Sequence, residues 1–400
     1  MSYENRKIEK FNWFLIFEML SCTLIVWFNC TNKHDLASTC FAISFIILLV
    51  EFVKYLFSKL ETIDAVDLLM LFIVCLSFFI SFTSLFSSGK GVNFENLKQW
   101  IFFICTVIFM RLAEKIRISR NTANIIFGFN ILISLIYIYS KRFHPQVYLY
   151  YGFNGLTLNF SNPNLAGMFI FISLLYMFLG CFYFKKLLVR IICAVLAISN
   201  FSLLLQTESR NPLLAFVLFL VIFFLSLLKI NLRFSNFFTG IVNIAPSLFV
   251  FLYLTFISTI MEKGWLNFLV SEGKNLNSRV KVWKSFLSRL GSKWLIGDYS
   301  ELAGNAHNTH MVILCSFGLI VLILTIVLTY RITKNISRRI ENRFQLYCLS
   351  AFFAILFMGF GEGALYSGGM GLHLMCGNFI VLANSKLDKR RNSENERKLL

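Results

Sequence analysis

The sequence predicts an all-α polytopic membrane protein with about twelve transmembrane helices and one long external loop before the tenth. Three observations carry that prediction. Of 400 residues, 57% are hydrophobic, 47 are Phe and only 14% are charged, so an ordinary soluble fold would leave far too much apolar surface in water. The apolar residues come in runs long enough to cross about 30 Å of hydrocarbon. The cations sit in short clusters between those runs, as membrane topology demands. The whole chain, 1–400, reads as one integral membrane domain, with no soluble domain, linker or internal repeat.

Taken in order, the spans are expected near 11–30, 36–57, 65–86, 97–113, 122–140, 164–184, 187–206, 212–229, 237–260, 307–330, 345–361 and 368–385. The basic start MSYENRKIEK leads into an apolar run without a small-residue cleavage site, so that run is expected to remain as the first span. With the N-terminus inside, the internal connections hold about 25 of the 38 Lys and Arg, among them Arg111, Lys115, Arg117 and Arg120. The short external ones hold only Lys33, Lys90, Lys98, Lys141, Arg142 and Arg210. An even number of spans with both termini cytoplasmic satisfies this bias.

The net charge of +18 accompanies no basic domain and no nucleic-acid motif, so nucleic acid is not an expected partner. Ten Cys lie mostly within apolar runs without CxxC or His-Cys spacing and read as small buried hydrophobes. Asp64 and Asp67 have a suggestive spacing but fall at an inner helix end.

The loop at 261–306 breaks the charge rule. It carries Lys263, Lys274, Arg279, Lys281, Lys284, Arg289 and Lys293 on the outside, and long loops in compact chains are usually functional. Within it, SRVKVWKSFLSRL has the apolar spacing of an amphipathic helix lying on the bilayer, and Arg279 and Trp283, four apart, share one face of it. Its remaining cations suit a solvated face attracted to lipid headgroups.

Other polar groups collect on the same side. Glu208 and Arg210 stand between two strongly apolar spans, as an ion pair anchoring the turn or as a phosphate grip using the planar guanidinium. His307-Asn308-Thr309-His310 opens the tenth span. His307 is suited to accept a proton near neutral pH, while Asn308 or Thr309 is suited to cap the helix. A metal reading of His307 with His310 lacks a third ligand. Asn162 and Asn164, after an aromatic cluster, suit sugar binding or an ordinary interfacial turn. Glu362, in the glycine-rich GFGEGALYSGGMG, enters a cavity or belongs to a tight interhelical turn.

In order and membrane placement, NFSNPNLAG, SRNPLLAF, R-xxx-W at Arg279 and Trp283, Gly297, then HN at His307 and a helix containing FGLI resemble the O-antigen polymerase and O-antigen ligase superfamily. The resemblance covers roughly Phe160 to Leu324. The family often has Pro before the glycine matched to Gly297, where this chain has Trp294-Leu295-Ile296.

The resemblance implies a membrane glycosyltransferase of the bacterial cytoplasmic membrane that acts on its outer face, with undecaprenyl diphosphate-linked glycans as substrates and no cofactor. It implies essential roles for Arg210, Arg279 and His307. Glu208, Trp283, Asn308, His310, Asn162, Asn164 and Glu362 are the expected substrate contacts. The chemistry is compatible: a polyprenyl diphosphate leaves readily once cations stabilise its charge, and the attacking hydroxyl needs a base. No acidic pair on the outer side offers a metal site. Membrane lipids, a chain-length regulator and a flippase are the expected partners. A polymerase fits first, a ligase or a lipid-linked oligosaccharide flippase second.

Overall fold

The computed structural model describes residues 12–150, 153–227, 234–257, 277–299, 307–361, 371–385 and 387. Among them the chain is helical except for one short hairpin, β1 (Val147–Tyr150) with β2 (Phe153–Leu156), paired antiparallel. Among the described residues nine helices are long and apolar enough to cross a membrane. They are α1 (Trp13–Cys30), α2 (His34–Phe57), α3 (Ala65–Ser87), α4 (Phe94–Lys115), α5 (Arg120–Phe143), α6 (Pro163–Tyr183), α7 (Leu187–Gln206), α9 (Asn236–Leu252) and α11 (Thr309–Ser337). Three shorter apolar helices accompany them: α8 (Arg210–Leu227), α12 (Arg343–Met358) and α13 (Leu372–Asn384). The long connection contributes one more helix, α10 (Asn277–Leu290). Outward Phe86, Phe237 and Ile198 are each more than two-thirds exposed. Such a surface belongs in lipid, and the chain is a membrane-spanning protein of many helices.

Polar residues at the run boundaries start the helices. Asn12, Asp64, Asn93, Ser119, Asn162, Ser235, Asn308 and Asn342 each accept a hydrogen bond from a first-turn amide. Each satisfies a donor that the helix leaves orphaned, for about 1 kcal/mol apiece. Asp64 with Asp67, and Asn342 with Gln345, complete capping boxes.

Helices α6 and α13 lie deepest. Every residue of α13 is buried, and the Tyr176 hydroxyl of α6 donates to the Met375 carbonyl (2.7 Å) while its ring stacks on Phe379. Around them aromatic contacts set direction. Tyr183 meets Phe344 and Phe182 meets Tyr347, so α6 and α12 run antiparallel. Phe178 meets Phe219 and Phe182 meets Phe223, so α8 runs parallel to α6 and antiparallel to α12.

At one end of the bundle, called here the network end, charge is enclosed. Arg111 of α4 is wholly buried. Its Nε donates to Asp67 (2.7 Å), and its two terminal nitrogens donate to Glu114 and Asp64. The Tyr55 hydroxyl also donates to Asp67 (2.7 Å), Lys115 to Asp64 (3.0 Å), and Asn335 of α11 to Glu114 (3.0 Å). The Asn384 amide of α13 donates to the Glu114 carbonyl (2.6 Å). Five helices, α2, α3, α4, α11 and α13, are thereby fastened together. Arg111, one of the cations that the charge pattern assigns to an internal connection, is thus a buried ion-pair centre, and Asp64, Asp67 and Glu114 are its counter-ions.

Candidate functional site

At the opposite end, the loop end, the backbone is irregular where the polar residues gather. Pro246 lies inside α9, where it removes an amide donor and bends the helix. A π-helical turn follows at Tyr253–Ile257. Helix α11 is broken at Gly318, which has φ +82°. Beyond the break, the part from 319 to 337 spans about 28 Å by itself, so the preceding turns that carry His310 are not needed to cross the hydrocarbon. Glu208 and His307 both hold left-handed backbone, at φ +54° and +49°. Irregular backbone at membrane depth persists where it is enclosed by protein or lines a cavity.

The break in α11 exists because two glycines meet. A Cβ on Gly318 would fall 2.2 Å from the Leu295 carbonyl oxygen, and one on Gly297 would fall 2.5 Å from the Gly318 nitrogen. Both have positive φ. Their contact seats the 3-10 turn Gly291–Leu295 against α11, and the Asp298 amide donates to the Cys315 carbonyl (2.8 Å). The connection is pinned further by Ser84 donating to Asp298 (3.0 Å), Lys293 paired with Asp298 (2.5 Å), and the Tyr299 hydroxyl bridging Trp100 and Asn96.

Asn308 is the organiser of this end. It is completely buried, its Oδ1 caps Met311, and its Nδ2 donates to the carbonyls of Pro246 (3.0 Å) and Phe360 (2.9 Å). The Thr309 amide donates to the Gly359 carbonyl (2.9 Å). Thus α9, α11 and the end of α12 meet at one side chain. His310 is buried too, with Nδ1 2.7 Å from the Ser247 hydroxyl of α9. His307, half-buried, immediately precedes this junction.

Helix α10 corrects the expectation of a helix lying on the bilayer. It forms where the apolar spacing puts it, but it docks on protein: Trp283 is 0% exposed, packed edge-on against Phe249 and Tyr253 in a cluster with Val250, Met311, Val312 and Cys315. Trp283 therefore anchors α10 to α9 and α11 and offers no free face to a sugar. Arg279 lies one turn earlier in α10, and its side chain is outside the described residues, as is Glu362.

The second group of candidates surrounds the turn between α7 and α8. That turn is held by close packing: a Cβ on Gly167 would fall 2.7 Å from Ser209, and one on Gly155 within 2.8 Å of Pro163 and the Thr207 carbonyl. Glu208 and Arg210 emerge exposed beside Asn162 and the half-buried Asn164. Asn162 uses its side-chain oxygen to cap α6 at Leu165 (2.8 Å). Asn159, which spacing alone did not single out from its neighbours, is buried and donates to the Cys30 carbonyl (2.6 Å), tying this loop to α1.

Register relates the two groups. The Phe223 and Tyr347 rings are 4.7 Å apart in antiparallel α8 and α12. Ascending equally from that pair, by about 20 Å, Arg210 comes level with Phe360, the residue whose carbonyl Asn308 holds. The start of α8, the end of α12 and the start of α11 therefore share one layer. Ser247 and Gly318 are the participants that sequence reasoning missed; an isolated Ser in an apolar run carries no signal, whereas a Gly within a long helix marks a break.

Among the described residues no three His, Cys, Asp or Glu stand close enough to hold a metal ion. No protein-family model, curated protein or solved structure matches the chain.

Proposed function

We propose that this chain is a glycosyltransferase of the bacterial cytoplasmic membrane that joins undecaprenyl diphosphate-linked oligosaccharide repeat units into O-antigen or capsular polysaccharide. In this reading the twelve apolar helices all span, the termini are cytoplasmic and the loop end faces outward. What supports it is the clasp of Asn308 on the Phe360 carbonyl, with His307 beside it, and the helix rise that brings Arg210 level with Phe360 from the Phe223–Tyr347 pair. Together with Arg279 of α10, this layer would supply cations for a diphosphate and an imidazole for a hydroxyl.

The chemistry needs few parts. His307 takes the proton from the acceptor hydroxyl as its oxygen forms a bond to the anomeric carbon of the donor. The bond between that carbon and the diphosphate breaks, and Arg210 and Arg279 stabilise the charge left on the lipid diphosphate. Guanidinium groups suit this role because their fork matches two phosphate oxygens at once.

The test is polymer length in cells that depend on the protein, read beside the lipid-linked repeat unit on the outer face. Arg210→Ala and Arg279→Ala should each lose long polymer while the single repeat unit accumulates outside. Normal chain-length ladders from both variants would overturn the assignment. Transfer of finished polymer to a lipid A core acceptor by the purified protein would favour a ligase. A flippase is favoured by one observation, the completely buried Glu18 of α1, held by Ser44 (2.5 Å), since intramembrane carboxyls commonly mark transport paths. It predicts that Glu18→Gln keeps the repeat unit on the inner face.

A further inference from the structure

We propose that the groove between the network-end halves of α1 and α2 is a binding site for one anionic glycerophospholipid of the adjoining leaflet. The groove encloses about 600 Å³. Phe17, Ile46 and Val50 form its walls, and all three are about half exposed, so they face acyl chains instead of a neighbouring helix. Its rim has a different chemistry. There Lys54 of α2 and Arg117, from the α4 to α5 connection, stand over the apolar slot beside Trp13.

Depth follows from the ion-pair network. Lys54 adjoins Tyr55, whose hydroxyl donates to Asp67, so the two cations sit in the layer where α3 begins and α4 ends. Trp13, 62% exposed, begins α1 at the same end. An amphipathic ring there is at the height of lipid headgroups. Two cations above an apolar slot match a phosphate above hydrocarbon, and basic pockets between helices at a membrane surface take anionic headgroups.

The charge balance selects the lipid. Glu51 lies 3.8 Å from Lys54 and offsets part of its charge, leaving a rim whose described residues carry a single net positive charge. Such a rim prefers a headgroup that is negative overall to one whose phosphate is already neutralised by an amine. Both cations are exposed, so the site is suited to an abundant component of the leaflet and lacks the enclosed fork that a scarce phosphate ligand would require.

Glu51 also provides a test that a merely structural role would not imitate. Full-length protein is purified from nanodiscs containing phosphatidylglycerol and phosphatidylcholine, and retained lipid is counted by native mass spectrometry. Lys54→Gln with Arg117→Gln should lower phosphatidylglycerol retention by about 30-fold, the weight of two interfacial cations. Glu51→Gln should raise it by about 5-fold, and Arg338→Gln with Arg343→Gln, in another groove at the same end, should leave it unchanged. Retention that is equal in the double variant, or that does not rise in Glu51→Gln, overturns the proposal. Displacement of phosphatidylglycerol by an equal concentration of undecaprenyl phosphate also overturns it, and reassigns the groove to a polyprenyl lipid. Should the double variant fail to fold, the Glu51→Gln outcome decides alone.

Discussion

At the network end Arg111 is enclosed by Asp64, Asp67 and Glu114, which engage three of its nitrogens. At the loop end Arg210 begins α8 exposed, two residues after Glu208, which is held at positive φ. The same side chain is thus used in two ways within one bundle. Where five helices are fastened, the charge is neutralised and desolvated; at the start of α8, where we propose that a diphosphate is met, it is left accessible on a turn that close packing holds in place. The network end uses its charges to fix the positions of helices, and the loop end uses fixed helices to position its charges.

The contrast is broken most severely by removing Arg111. Arg111→Ala leaves Asp67 and Glu114 buried without their partner, and losing one member of a buried pair costs about 3–5 kcal/mol. The variant should show a large fall in thermal midpoint in detergent and poor recovery of folded protein. Combining it with Asp67→Asn and Glu114→Gln should restore much of the loss, because neutral groups in the same places no longer demand a cation. If Arg111→Ala keeps the parent's midpoint, the network does not fasten the helices.

Arg210→Ala should do the reverse. An exposed side chain without packing duties changes stability by no more than about 0.5 kcal/mol, so the thermal midpoint should hold while long polymer disappears from cells. Arg279→Lys should remain impaired, since an ammonium keeps the charge but loses the fork. A variant of either arginine that unfolds the protein would place it with Arg111, as a fastening group.

How far these differences could be read in the sequence depends on whether the signal was local. The apolar helices, their caps at Asn12, Asp64, Ser119 and Asn342, and the position of α10 follow from runs and spacing, which chain neighbours determine. Trp283 shows the limit. Helical spacing gave its face correctly, but whether that face meets lipid or α9 is decided by residues about thirty positions away, such as Tyr253. The sequence places Arg111 with the topological cations because its partner Asp67 lies on another helix, although Arg111 with Glu114 three residues later, and Asp64 with Asp67, are local hints of pairing. The hairpin at Val147–Leu156 and the meeting of Gly297 with Gly318 also depend on contacts between distant segments.

Between these extremes lies Asn308, polar and buried at the loop end. Asn308→Ala removes the cap on Met311 and leaves the Pro246 and Phe360 carbonyls without their donor, for about 2 kcal/mol. Asn308→Asp retains the cap but loses both donated bonds. Both variants should lower the thermal midpoint less than Arg111→Ala, and both should reduce polymer formation, because α9, α11 and the end of α12 are held together through this side chain. Polymer formation at the parent's level in both variants would show that the layer does not need this clasp.

The smallest effect is expected at Asp64, the network's one well-exposed carboxylate, with 42% of its side chain accessible. Partial burial raises its pKa. Hydrogen bonds from the Asp67 backbone, Lys115 and Arg111 outweigh that and hold the carboxyl well below the usual carboxylate range. The folded protein therefore binds this proton less readily than the unfolded chain. The resulting stabilisation is complete above the unfolded value of about 3.9 and fades as pH falls from there toward the folded value. Asp64→Asn, which keeps a good helix cap, should cost less than about 1 kcal/mol at neutral pH, as exposed pairs do. Its thermal midpoint should run parallel to the parent's from pH 7 to about 5 and converge with it in more acidic buffer. A gap that stays constant through pH 3 would show that the ionised carboxylate, and with it the pairing with Arg111, contributes nothing to stability.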